Sequence, residues 1–284
     1  MQRQPIIAYW LTGLIIVLTV AAALSGLLWP GIYNDPAPVL PQAYGQDMVT
    51  LVVGVPLLVI ATVFAVRGSL RGRLIWLGAL GYILYTYASF AFGAVYNNLF
   101  LLYVALFSLS LFAMMLGMMS LDVGQIGDMF APDTPVRPLA GYFGLVGFLV
   151  GLMWLSEIVL ALMTGTLPPT LVESQVHTLF IQVLDLAVVV PLSLLAAVLL
   201  WQRRPWGYTL ASVLLVKAAT LGLAVLAMIV FMAQAGLAVN WGVVALFLGI
   251  TLAPIVLAVP FLRSLHENEQ PPALRPQSVY LWRR

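Results

Sequence analysis

Residues 47–96 read DMVTLVVGVPLLVIATVFAVRGSLRGRLIWLGALGYILYTYASFAFGAVY. Two apolar runs, 47–66 and 74–96, flank the basic turn Arg67-Gly-Ser-Leu-Arg-Gly-Arg73. A helix needs about 20 apolar residues to cross the hydrocarbon core of a bilayer, and each run reaches that length. Neither run alternates between polar and apolar residues, so barrel strands are disfavoured. The stretch reads as a helical hairpin through a membrane, with its arginines left on one side.

The same pattern recurs along the chain. Apolar runs at 5–30, 99–121, 139–163, 174–201, 207–235 and 240–262 complete a set of eight with the two above. The expected fold class is all-α, a polytopic transmembrane helix bundle of eight spans. Composition agrees. Of 284 residues, 63% are hydrophobic and 8% charged, against roughly 25% charged in a soluble domain. Such a chain cannot cover a water-facing surface. The first run has Arg3 before it and Ala21-Ala22-Ala23 near its end, as a secretory signal would. It continues to Trp29, past the roughly 7–15 residues of a signal core, and reads as an uncleaved anchor.

Arginine and lysine set the orientation. Arg3, Arg67, Arg71, Arg73, Arg137, Arg203, Arg204, Arg263, Arg275, Arg283 and Arg284 all fall on one side of an eight-span arrangement, and Lys217 lies inside a span. Positive residues resist translocation. That side, with both termini, is expected in the cytoplasm of a cell whose inner membrane holds the chain.

The connections divide the chain. Residues 31–46, with Pro36, Pro38 and Pro41, read as an extended structured loop, and Asn97-Asn98 as a tight turn. Residues 122–138, with Asp122, Asp128, Asp133, Pro132 and Pro135, read as a cytoplasmic connector between a first half, 1–121, and a second, 139–262. A polar, proline-rich cytoplasmic tail occupies 263–284. The halves share features: Gln46-Asp47 with Pro56 and Leu184-Asp185 with Pro191; Trp76 and Gly78 with Trp206-Gly207; Val-Ala-Leu-Phe at 104–107 and 244–247. They suggest a 4+4 tandem repeat about an axis along the membrane normal, with a site between the halves near the midplane. Chance likeness between apolar helices is the alternative.

Charges in hydrocarbon cost about 2.5–3.5 kcal/mol on insertion scales and face the bundle interior or water. Three stand out: Glu157, Asp185 and Lys217. At about 1.5 Å rise per residue, Asp185 lies roughly 24 Å from Trp201 and Glu157 roughly 27 Å from Leu139, at similar depth. Lys217 lies roughly 15 Å from Gly207, about 9 Å from the level of Asp185. An Asp185–Lys217 pair is expected, with Glu157 a further member. Such a pair fixes helix register, carries protons or binds a zwitterion. Gln175, Thr178, Gln182 and Asp185 share one helical stripe, and His177 lies off it as an interfacial residue. Glu157, Gln182, Asp185 and Lys217 form the candidate polar site. Tyr82, Tyr85, Ser89 and Tyr96 fall on one face of the third span; Asp47, Tyr82, Tyr85 and Ser89 are the candidate pocket lining. Helix packing through tyrosine hydroxyls is the competing reading. Tyr9, Trp10, Trp29, Trp201, Trp206 and Trp241 read as interfacial anchors.

Several chemistries are excluded. There is no cysteine, hence no disulfide or thiolate metal site. Only His177 and His266 are present, too few for di-iron or bis-histidine haem sites. No Walker A, Gly-x-Ser-x-Gly or His-Glu-x-x-His sequence occurs. No metal or cofactor is expected, and the basic turns are too short for nucleic acid.

The stretches Gly45-Gln46-Asp47, Arg67–Arg73, Tyr85-Thr-Tyr87 and Arg203-Arg-Pro-Trp-Gly-Tyr208 resemble recurring features of uncharacterised prokaryotic multi-span membrane proteins. The resemblance covers most of the chain, implies a shared fold and brings no activity. The leading functional expectation is a small-molecule or proton-coupled transporter, or a related ligand-binding membrane protein. An intramembrane enzyme acting on a lipid or quinone, and a structural or assembly subunit of a membrane complex, are the alternatives. The expected partners are the lipid bilayer, a small-molecule ligand, and a second copy or a membrane-complex subunit.

Overall fold

The computed structural model describes residues 5–239 and 241–266. Asn240, Arg3 and the tail from residue 267, with Arg275, Arg283 and Arg284, lie outside the described residues. Those residues form helices α1 (Ile6–Leu28), α2 (Leu40–Val66), α3 (Leu70–Gly93), α4 (Phe100–Met119), α5 (Val123–Asp128), α6 (Val136–Thr164), α7 (Pro169–Ser174), α8 (Phe180–Trp201), α9 (Pro205–Gln234) and α10 (Trp241–Arg263). No strand forms among them beyond one isolated bridge, Phe130 to Leu265. Seven helices are long and apolar enough to cross a membrane: α1, α2, α3, α4, α6, α8 and α9. The eighth expected span falls on α10, whose apolar stretch Phe247–Arg263 is shorter.

Three expected boundaries move, each for a local reason. The loop expected over 31–46 ends at Val39, and Leu40–Gln46 opens α2. Pro41 sits in the first turn, where its missing N–H costs nothing; the glutamines and glycine there had hidden the helix from a count of apolar residues. α3 starts at Leu70 rather than 74, because Ser69 Oγ accepts from the Gly72 N–H at 2.9 Å, an N-cap. The sixth span begins at Phe180, not 174. Gln175 follows the short α7 in the left-handed region, φ 55°, and the chain reaches α8 five residues later. Gln175, His177 and Thr178 are therefore exposed loop residues, and only Gln182 and Asp185 of the expected stripe lie on α8.

α2 and α8 are both interrupted by a wider π turn, at Thr50–Gly54 and Asp185–Val189. Each is followed by a helical segment with proline in its first turn, Pro56 and Pro191. Proline lacks an N–H and its ring crowds the carbonyl four residues back. The backbone accommodates this by closing i to i−5 bonds, Val55 N–H to Thr50 O and Val190 N–H to Asp185 O. Both helices end in a turn with a positive φ, at Gly68 (93°) and Arg203 (54°). Gly72 and Gly207 then let the next helix close on backbone at residues 64–65 and 199–200.

α9 runs through the middle, packing on α2, α3, α8 and α10, while α1 packs on α4 and α6 on α8. Glycine decides the closest approaches. A Cβ at Gly45 of α2 would stand 2.6 Å from Met228 Cα of α9. Gly78 of α3 lies equally close to Val213 and Val216 of α9. Outside, the helices present large apolar residues, Trp10, Leu101, Met163 and Val256 among them, each more than two-thirds exposed.

The arginine-bearing connections meet at one end. Arg71 Nη2 donates to Leu265 O at 2.6 Å, Arg73 Nη2 to Ser120 Oγ at 2.7 Å, and Arg203 Nη1 to Pro132 O at 3.0 Å. The C-terminal end of α10 is tied there too, through Ala131 N–H to Ser264 O and His266 N–H to Met129 O. At the opposite end, Asn34 donates to Tyr96 O, and Asp35 Oδ1 accepts from the Val95 N–H. The residues read as interfacial anchors divide. Trp10, Trp29, Trp201, Trp206 and Trp241 are exposed, whereas Tyr9 packs on the buried Trp76 ring at 5.0 Å.

Candidate functional site

Asp185 is the first residue of the α8 π turn. Its Oδ1 accepts from Tyr85 OH of α3 at 2.8 Å, and its Oδ2 from Trp154 Nε1 of α6 at 2.9 Å. Lys217 of α9 places its ammonium 4.2 Å from the centroid of the same Tyr85 ring. Four helices thus converge on one carboxylate. No ion pair joins Lys217 to Asp185; Tyr85 touches both, with the cation on its ring face and the carboxylate on its hydroxyl, and both charged groups border the smaller cavity. The expected pair is therefore a relay of three residues. Trp154 belongs to the site and sequence reading missed it. The available signal was an indole N–H in mid-span, which needs an acceptor when buried.

Asp185 borders two cavities. The larger, about 280 Å³, extends from Asp185, Tyr85 and Trp154 to Asp35 in the connection between α1 and α2, past Gln46 and Ser89. The smaller, about 80 Å³, lies on the other side of Asp185 and is lined by Lys217, Ser193 and Tyr142.

The other expected site residues separate. Gln182 is buried one turn before Asp185, with its Nε2 unpartnered. Glu157 leaves the site: its Oε1 accepts from the Thr170 N–H at 2.7 Å and anchors the start of α7. Counting depth along the sequence placed it level with Asp185 and could not show which way it faces. Ser89 lines the larger cavity, with its hydroxyl donating to Thr86 O. Tyr82 and Asp47 do not line it. Tyr82 OH bonds Thr50 Oγ1 at 2.7 Å and accepts from Gln46 Nε2 at 2.9 Å, and that amide also donates to Thr86. Asp47, 2% exposed, accepts from Tyr33 OH and abuts Gly26 of α1. Tyr96, expected on the Tyr82 face, lies past the end of α3 and is exposed.

Two loop groups carry shifted protonation. Burial, reinforced by the Asp47 carboxylate, raises the Tyr33 hydroxyl well above its ordinary value, so it is a donor at every physiological pH. Burial also raises the Asp35 carboxyl, offset in part by the Val95 N–H. The folded chain then holds the Asp35 proton more tightly than the unfolded chain does. Its contribution to stability is full below the ordinary aspartate range and lost as pH climbs through the raised value. Asp35→Asn keeps an acceptor for Val95. It is expected to flatten this dependence and raise Tm at neutral pH; an unchanged profile in thermal unfolding would refute the assignment.

Fold and site together define a class: an all-helical protein, with seven helices long and apolar enough to cross a membrane and a largely apolar cavity bordered by Asp35 and Asp185. The chain matches no protein-family model, and no curated protein or solved structure is significantly similar to it.

Proposed function

We propose that the chain is an eight-span protein of the cell (inner) membrane, with both termini cytoplasmic, and that it moves a small molecule or proton through a site at Asp185. One observation carries this reading. A carboxylate held by hydrogen bonds from two other helices borders two cavities, one toward Asp35 and one toward Lys217. Intramembrane ionisable groups that border such cavities mark substrate and proton paths. The arginines gathered at one end support the orientation. The 23 residues of α10 support an eighth crossing, since at about 1.5 Å per residue they span roughly 34 Å.

A tandem repeat accompanies this reading, in a register of 135 residues. That offset relates the two π turns, Pro56 to Pro191, Gly68 to Arg203, Gly72 to Gly207, and the buried Ala61 to Ala196. It also relates α3 packing on α8 to α9 packing on α2. The sequence pairing was out of step: in this register Gly207 answers Gly72 rather than Gly78, and Asp185 answers Thr50 rather than Asp47. The first half then keeps a closed polar network where the second holds the open site. The enzyme reading is weaker, because Glu157, the carboxylate expected beside Asp185 for acid–base work, lies with Thr170 instead.

The natural absence of cysteine allows a direct test. Ser89→Cys is expected to react with an impermeant methanethiosulfonate added to intact cells, and Ser193→Cys with the same reagent added to inside-out vesicles. Failure to label either position from its expected side would overturn the transport reading.

A further inference from the structure

The larger cavity is charged one way. Asp35 and Asp185 line its two ends, and among the described residues no lysine, arginine or histidine lines it. Lys217 sits behind the Tyr85 ring and borders the smaller cavity instead. Setting Lys217 against Asp185 leaves Asp35 without a basic partner. Asp35 is only 9% exposed; its Oδ1 accepts from Val95, and its Oδ2 is buried and unpartnered. The walls between the two carboxylates are apolar and include four aromatic rings, Phe90, Trp154, Phe180 and Phe247. A buried carboxylate with no counter-charge is costly, and aromatic faces attract cations. An anion would meet two carboxylates in a low-dielectric space.

We propose that this cavity takes an organic cation, an amine or quaternary ammonium with a compact apolar body. The inference rests on reading the cavity as a ligand site. The cationic head pairs with Asp35 or Asp185 while the apolar body lies on the rings. At about 280 Å³ the space sits at the small end of ligand pockets, which run from roughly 300 to 1,000 Å³, and suits a single-ring amine.

Calorimetric titration of the purified full chain with three probes tests this: benzyltrimethylammonium, its uncharged carbon analogue neopentylbenzene, and benzenesulfonate. Only the first is expected to bind. Asp35→Asn, which keeps the Val95 contact, is expected to weaken it tenfold or more. Asp185→Asn/Lys217→Met, which strands no charge, is expected to do the same. Equal binding of the cation and neopentylbenzene, preference for benzenesulfonate, or undiminished affinity in both variants would overturn the cation assignment and leave the cavity reading intact. Binding of none of the three would overturn the cavity reading itself.

Discussion

Asp185→Asn is expected to destabilise the bundle by about 3–5 kcal/mol, and adding Lys217→Met to return most of that loss. The asparagine keeps the shape of the side chain, an acceptor oxygen for Trp154 Nε1 and an amide that can donate to Tyr85 OH, so two bonds to a charged acceptor become two neutral ones. Hydrogen bonds to a charged group contribute about 1.5–3 kcal/mol each. The larger part of the loss comes from Lys217, 8% exposed and left on the Tyr85 ring with no carboxylate behind it. Lys217→Met alone is expected to cost less, because Asp185 retains both donors. Thermal or denaturant unfolding in detergent measures all three variants. A double variant that loses the sum of the single losses would show that the two groups are not coupled.

Gly45→Leu is expected to cost more than about 3 kcal/mol and to detach α9 from α2. The new side chain has nowhere to go: the space beside Gly45 is filled by backbone, Met228 N and Cα at 2.6 Å and Ala227 C at 2.8 Å. Backbone cannot rotate aside as a flexible side chain can, so relief requires the two helices to separate. Separation would also open the larger cavity, whose walls include Ala43 and Gln46 of α2 and Val225 and Met228 of α9. Gly13→Leu is the control, since no atom lies within 4 Å of a Cβ there. Equal yield and unfolding midpoint for the two variants would show that α2 and α9 do not touch.

How much of this was legible in the sequence depends on the kind of residue. The spans announced themselves because apolar runs of that length are rare outside membranes, and the one-sided arginines announced the end where Arg71, Arg73 and Arg203 now bond to neighbouring connections. Asp185 and Lys217 stood out as charges among apolar neighbours. Trp154 and Asp35 did not. Trp154 is one apolar letter among many, and Asp35 sits in a connection that reads as an extended structured loop with nothing to show that it borders a cavity. Glu157 misled because distance along a helix gives depth but not direction. Tyr82 misled for a related reason: its spacing with Tyr85 and Ser89 marked a buried face, and Tyr82, like Asp47, is closed in by α1, α2 and Tyr33 rather than opened to a ligand. Pro56 and Pro191 were read only as matching marks in the two halves; each stands just past a π turn, Thr50–Gly54 and Asp185–Val189.

The most direct measurement is a labelling map of single cysteines in intact cells with an impermeant maleimide, before and after permeabilisation. Asn98, Thr166 and Ala235, all exposed and remote from the arginine end, serve as one set; Gln202 and His266, exposed at that end, serve as the other. The first set is expected to react in intact cells and the second only after permeabilisation. Reaction of His266→Cys in intact cells would mean that α10 does not cross, and would contradict an eight-span bundle with the arginine end inside.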